Sequence, residues 1–456
     1  MVDRLTESRM YAHLWTTEEF HDVFAEERRL QTWLDILASL AAAQAELGII
    51  PGEAAREIAE VARYENLDMD YVAAETRSTS HSTLGLIRGL QRVLSPAAAE
   101  YVYYGATVQD LTDTWTAMAM ARVGAVAWRD LGEIERRLVE LAREHRDTVM
   151  PGRTHGQPGA PITFGLKAAS WADEVQRHRE RLREGARRWL VGQLAGACGS
   201  LAFFRDRGPE LRARFCARLG LHDPGVGWTS ARDRIAEFGS LLAMVTASLA
   251  RIGNEVYQLQ RPEIGELHEA AGATTVGSIT MPHKRNPERS EHIVTLARLV
   301  RVNAGLLVEG MVTEHERDGR AWKAEWPAFT EVCLLSGAAL QLTRDLLAGL
   351  EVDRAAMARN VAAGDGALAS ERLLAELAPV LGKHRAQAEL QEAIRRARDR
   401  GAPIGDAFRE VAGEHLSGAS LSSLLATPDT GSCGVMIDEV VQRCCHALDT
   451  EPAEWP

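Results

Sequence analysis

Cysteine is sparse and unordered in this chain: six residues in 456, Cys198, Cys216, Cys333, Cys433, Cys444 and Cys445, with no CxxC and no Cys/His ligand spacing. That excludes a disulfide framework and the common zinc patterns, so the thiols are read as reduced and packed. Basic excess is missing as well, the net charge being -12. A nucleic-acid partner asks for a cationic stripe that neutralises phosphates, so a general polyanion-binding surface is excluded, while a local cluster of Lys and Arg can still hold a small anion. Long hydrophobic runs are lacking: the opening MVDRLTESRM has no apolar signal core, and the most apolar stretch, Leu241 to Ala250, is about half the length of a membrane span. A cytoplasmic protein with no membrane contact is expected. No His/Asp/Glu cluster has ligand spacing and no phosphate-cradling glycine loop follows a strand, so no metal and no organic cofactor is expected.

What the chain has in quantity is helical periodicity. In FAEERRLQTWLDILASLAAAQAELGII, from Phe24 to Ile50, apolar residues recur at three- and four-residue steps. Similar patterns run over Leu111 to Arg146, Thr163 to Leu190, Arg232 to Leu259, Glu288 to Val312 and Pro327 to Leu350, each bounded by Gly, Pro or capping residues. Strand signals are scarce. A length of 456 residues exceeds one compact core, and long helices mid-chain flanked by shorter ones predict an all-α fold of three helical domains. The borders are placed at 1–105, 106–350 and 351–456.

Three junctions between a loop and a helix concentrate the polar chemistry. In YYGATVQDLTDTW, Thr107 followed by Asp110 has the spacing of a capping box, which by itself is only a helix start. In MPGRTHGQPGAPITFG, Arg153, Thr154, His155 and Gln157 stand among glycines and prolines; a lone loop histidine is equally a solvated one. In GATTVGSITMPHKRNPERSEHIV, Gly272 and Gly277 loosen a loop, and Asn286 and Pro287 read as N-cap and first helical residue. The free N–H groups and positive dipole end of that helix, with Lys284 beside them, would hold a carboxylate.

GSITMPHKRNP, Gly277 to Pro287, resembles the signature of the fumarase/aspartase superfamily, G-S-S-x-M-P-x-K-x-N, at every fixed position but one. GRTHGQP with the following FGLK is similar to the branch holding adenylosuccinate lyase and 3-carboxy-cis,cis-muconate cycloisomerase, and similarity covers most of the chain from FAEERRLQTWLDILASL onward. The resemblance implies roles residue by residue. Ser278 falls on the general base, within a mobile catalytic loop placed at 272–287, and Lys284 and Asn286 fall on carboxylate-gripping positions. His155 falls on the general acid, with Thr154 beside it and Glu291 orienting the imidazole. Thr107 lies in a carboxylate-binding region, and His81 falls on a further active-site histidine. Arg77, Tyr103, Met281, Gln260, Arg317 and Arg320 are assigned to the substrate pocket, with Arg261 nearby.

Departures from the pattern narrow the substrate. Ile279 stands for the second signature serine, Val108 for the serine after Thr107, and Tyr103 for a histidine common in adenylosuccinate lyases. EHERDGRAWKAEW, Glu314 to Trp326, is similar to the cycloisomerase version of its region and puts Trp322 and Trp326 where adenylosuccinate lyases present Ser and Arg to a phosphate. Two indoles do not neutralise a dianion, so a smaller substrate than a nucleotide is expected, with Arg317 and Arg320 open to another acid group and both indoles open to plain core packing. The leading expectation is β-elimination of a nitrogen leaving group from an N-substituted aspartate or nitrosuccinate to give fumarate. The alternatives are lactonisation of 3-carboxy-cis,cis-muconate, adenylosuccinate cleavage and a non-catalytic homologue. The resemblance also implies a homotetramer with a 20-helix core and sites shared among three chains. Partners are then a small dicarboxylate and further copies of the chain, with no nucleic acid.

Overall fold

The computed structural model describes residues 4–271, 278–452 and 454–455; the expected hinge glycines Gly272 and Gly277 lie outside the described residues. The fold is all-α with minor strands. The elements that position the site are α1 (Glu26–Glu46), α2 (Val108–Glu144), strands β1 (Val149–Thr154) and β2 (Gln157–Thr163), α3 (Phe164–Trp189), α4 (Asp233–Leu259), β3 (Leu267–His268), α5 (Glu288–Glu309), α6 (Gly319–Ala348), β4 (Glu351–Val352) and α7 (Cys433–Thr450).

Helices α2 to α6 form the central bundle: α2 packs on α3 and α6, and α4 on α3, α5 and α6. Apolar residues at helical spacing supply the contacts, as with Trp33, Leu34, Leu37, Leu40 and Ala41 of α1 and Ile235, Leu242, Val245, Leu249 and Ile252 of α4, all buried. At Gly165 the close crossing of α3 over the end of α2 leaves no room for a side chain, because a Cβ there would stand 2.7 Å from the Ala142 carbonyl oxygen. Helix α4 is long and apolar enough by composition to cross a bilayer, well beyond the stretch Leu241 to Ala250; here it lies inside the bundle with 67% of its most apolar window buried.

Three boundaries differ from expectation. Helix α6 begins at Gly319 under an Asp318 cap and carries Pro327 in its interior. A proline usually starts or breaks a helix, which is why the start was expected there. Helix α5 begins at Glu288 with Pro287 at the N-cap, so Asn286 lies outside it. The glycine- and proline-rich loop around His155 is a two-stranded antiparallel hairpin, β1 on β2, with Thr154 paired to Gln157. Prolines are tolerated in a two-stranded ribbon because its outer edges need no donors, and they masked the strand pattern.

The borders expected near 105 and 351 fall in the turn before α2 and in β4. Apolar packing divides differently. One core runs from Phe20 to Met357 and takes in Cys433, Ile437, Val441 and Cys444 of α7, while a second, built on Leu373, Leu377, Leu390, Phe408 and Leu421, stands apart. After α7 the tail returns to the bundle: the Trp128 indole donates to the Pro452 carbonyl at 3.3 Å, and the Trp455 indole to that of Leu182 at 3.2 Å.

One buried histidine makes stability depend on pH. His178 lies inside the bundle with Nε2 2.8 Å from the Ser248 hydroxyl. Burial, with Arg181 adding to it, pushes its pKa down to about 4. The unfolded chain, at about 6.5, binds the proton more readily, so the contribution is complete above that value and is lost as pH falls toward 4. Urea midpoints should indicate a loss of about 2 kcal/mol between pH 7 and pH 5 that is absent in His178→Gln. Equal acid sensitivity in both proteins would remove His178 as the cause.

Candidate active site

The expected site residues collect at two opposite ends of the bundle. At the first, the turn before α2 brings Tyr103 and Thr107 together with Thr83, and burial beside Asp110 raises the pKa of the Tyr103 phenol. The Thr107 N–H donates to Asp110 Oδ2 at 2.8 Å, which is the acid half of the expected capping box. The same carboxylate reaches further than a cap, accepting the N–H groups of Ala195 at 2.7 Å and Gly196 at 3.2 Å. Its burial still pushes the Asp110 carboxyl up to about 7. His81 caps the next helix: its Nδ1 accepts the N–H groups of Thr83 and Leu84 at 3.4 and 3.2 Å, which leaves the ring proton on Nε2. Arg77 is exposed on the preceding helix, Met69–Thr79.

The two pairs weighed for the pocket, Arg317 with Arg320 and Trp322 with Trp326, both lie at this end. Arg317 donates to the Ala197 carbonyl at 3.1 Å and lies close enough to act on Tyr103, while its Nε is buried with no partner among the described residues. Arg320 is not available in the same way. It is held by both oxygens of Asp318, at 2.8 and 3.0 Å, and by Glu314 at 3.0 Å, so its charge is already compensated on the surface. Trp322, buried, and Trp326, half-buried, meet edge to face at 5.0 Å beside Trp33, Trp115 and Phe329, around a cavity of only about 30 Å³.

The second end carries His155 and the signature segment. His155 and Gly156 form the two-residue turn of the hairpin with φ of 52° and 74°, the left-handed pair that suits right-twisted strands. Glycine takes this freely, whereas His155 pays about 1 kcal/mol for it. The turn holds His155 and Thr154 exposed at the tip. In the signature segment the Met281 N–H donates to Ser278 Oγ at 3.0 Å, and the Lys284 N–H to the Met281 carbonyl at 3.0 Å. Met281 and Lys284 are exposed, Asn286 donates to Glu288 at 3.1 Å, and Glu291 is exposed on the first turn of α5. Gln260 braces the segment by donating to the Arg285 carbonyl at 3.3 Å.

The start of α5 does not offer the free anion site expected of it. Glu269 fills that place: its carboxylate accepts the N–H groups of Ser290 at 2.8 Å and Arg289 at 3.2 Å. Those two N–H groups are therefore already satisfied by a carboxylate of the chain itself. Nothing in GELHEA marks Glu269 in the sequence, since it caps from the position just after β3, before the loop, and not from the usual capping position.

No single chain joins the two ends. Helix α2 separates Thr107 from the hairpin by 37 residues, which is about 55 Å of helix. A cavity of about 910 Å³ lies between Ile162, Arg354, Arg372 and Asp429 and includes none of the expected site residues.

Comparison with known proteins agrees with this architecture. The family model described as Lyase matches residues 13–302. Across 445 residues the chain is 36% identical to N-acetyl-S-(2-succino)cysteine lyase of Dickeya dadantii, covering 97% of this chain and 98% of that one. It is 38% identical to nitrosuccinate lyase of Streptomyces davaonensis over 90% of each chain. Among solved structures, 3-carboxy-cis,cis-muconate lactonizing enzyme from Pseudomonas putida superposes with a TM-score of 0.89 at 32% identity, covering 96% of this chain and 99% of that one. With the bundle, the hairpin histidine and the signature segment already in place, these matches make the chain a lyase that belongs to the fumarase/aspartase superfamily.

Proposed function

We propose that this lyase removes a nitrogen or sulfur leaving group from a 2-substituted succinate and releases fumarate. The observation that carries the reading is the run Ser278, Lys284, Asn286 entering α5, in a chain 36% and 38% identical to two enzymes named for succinate derivatives. Ser278 takes the proton from the carbon next to a carboxylate, that C–H pair becomes the new C=C bond, and the bond to the heteroatom breaks toward the leaving group. His155 delivers a proton to the departing atom, with Glu291 orienting the imidazole, while Lys284 and Asn286 stabilise the charge building on the carboxylate. Met281 supports the base, because an N–H donated to Ser278 Oγ favours the alkoxide.

Amine departure needs the acid most, since an amine leaves only when protonated, whereas nitrite leaves as a stable anion and a thiolate, with a thiol pKa of about 8.5, leaves unaided near neutrality. The sulfur reading enters from the name of the Dickeya relative. A panel of an N-substituted aspartate, nitrosuccinate, an S-succinyl thiol and 3-carboxymuconate, followed by fumarate release or loss of the muconate chromophore, tests the proposal. Fumarate from at least one succinyl compound supports it; turnover of the muconate alone replaces it with cycloisomerisation.

We also propose a homotetramer in which copies bring the Thr107 end of one chain to the Ser278 end of another. Supporting this, Met244 and Tyr257 on α4 and Leu299, Val302 and Leu306 on α5 leave an apolar strip exposed on the single chain. A cytoplasmic location fits the six unpaired cysteines.

A further inference from the structure

The segment Glu266 to Glu269 joins the two halves of the chemistry. Glu266 is fully buried and accepts from both terminal nitrogens of Arg153, at 2.7 and 2.8 Å, the residue two before His155. Asn360 adds a third donor to the same carboxylate at 2.7 Å. Three residues on, Glu269 is also buried; its side chain holds the first turn of α5 through Arg289 and Ser290, and its main chain holds the signature segment. The Glu269 carbonyl accepts from Arg285 at 2.8 Å, and its N–H donates at 2.8 Å to Gln260, which in turn reaches the Arg285 carbonyl. Between the two acids, Leu267 and His268 form β3 and pair with Val352 and Glu351 of β4, which fixes the separation of the carboxylates.

Apart from Asn360, the donors to the two carboxylates stand on elements that lead to proposed catalytic groups. Glu266 leads through Arg153 to His155, and Glu269 through the start of α5 to Asn286, Lys284 and Ser278. The donors these carboxylates hold are Arg153 and Asn360 for Glu266 and Arg289 and Ser290 for Glu269, none of them a proposed catalytic group. We propose that Glu266 and Glu269, which flank the paired strand β3, are positioning residues, Glu266 for the acid and Glu269 for the base and the carboxylate grip. The proposal rests on the lyase reading for its effect on rate, and on hydrogen-bond geometry alone for its effect on structure. A buried charged acceptor that loses its charge gives up the stronger kind of hydrogen bond, so each site should loosen without the fold being lost.

The test uses the full-length protein with Glu266→Gln and Glu269→Gln, and with Glu266→Asp and Glu269→Asp as charge-preserving variants. Each Gln variant should lose roughly ten- to a hundredfold in kcat with KM within about threefold. The leaving group then separates the two. Glu266→Gln, acting through the acid, should slow an amine substrate at least tenfold more than a thiol substrate, whereas Glu269→Gln should slow both alike. Equal loss on both substrates for Glu266→Gln, or an unchanged kcat in either variant, overturns the assignment. Where a Gln variant does not fold, the Asp variant is held to the same leaving-group pattern. If the unaltered protein turns over no succinyl substrate, the lyase reading fails, and hydrogen exchange decides the positioning claim. Faster exchange at Arg289 and Ser290 in Glu269→Gln, and across 149–163 in Glu266→Gln, supports it; unchanged exchange overturns it.

Discussion

Ser278→Ala should bind substrate with little change in KM and lose roughly a thousandfold in kcat, which is within the range a positioned general base supplies. The groups proposed to hold the carboxylate, Lys284 and Asn286, are untouched by the change, so the loss should fall on the chemical step. The same variant tests the sharing of sites among chains. Thr107 and Ser278 lie at opposite ends of a bundle whose α2 alone spans 37 residues, about 55 Å, so one chain cannot place both around a small diacid. Ser278→Ala and Thr107→Val, each inactive alone, should recover part of the rate when dissociated, mixed and reassociated, because some mixed assemblies hold one site with neither substitution. A near-normal rate for Ser278→Ala would end its assignment as base. Full activity in a monomer, by light scattering at assay concentration, would end the shared-site proposal.

Periodicity carried the helices well because burial on one face leaves a repeating mark: α3 was expected over Thr163 to Leu190 and runs Phe164–Trp189, and α4 was expected over Arg232 to Leu259 and runs Asp233–Leu259. Punctuation misled where tertiary contacts outweigh it. Pro327 is accommodated within α6, and the start of α5 is capped by the Glu269 carboxylate from beyond the end of β3. The strand pairing around His155 was hidden because Pro151, Pro158 and Pro161 hide a two-residue alternation while still fitting a ribbon. The family motifs pointed to His155 and Ser278 but not to what holds them, since Arg153 on Glu266 and Ser290 on Glu269 are long-range pairs with no local signature. Arg317 and Arg320 looked interchangeable in sequence, and only the neighbouring Asp318 and Glu314 separate them.

Removing either carboxylate around Arg232 should be among the most damaging changes to stability. The Arg232 side chain is 1% exposed and lies between Asp113, at 2.9 and 3.1 Å, and Glu325, at 2.7 and 2.8 Å. The carbonyls of Trp228 and Thr229 are each 3.4 Å from Nη1 and complete its shell. Burial opposes the guanidinium charge, but the two acids hold its pKa above the ordinary value. Glu325 is pushed up by the same burial, against the pull of Arg232. Such a cluster is costly to desolvate and more costly to break, because removing either acid leaves two Arg232 nitrogens that it served buried without that acceptor. Asp113→Ala or Glu325→Ala should therefore cost about 3 to 5 kcal/mol by urea midpoint at fixed protein concentration. Replacing all three groups by apolar residues of similar volume should cost far less, since no orphan charge remains. The cluster ties α2, α4 and α6 together beside Thr107 and Arg317, so the single variants should also weaken substrate binding at temperatures where they stay folded. Arg320→Ala, which breaks only exposed pairs, should leave the midpoint where it was. A shift under about 1 kcal/mol in Glu325→Ala would mean that water reaches Arg232 and that the cluster does not hold these helices together.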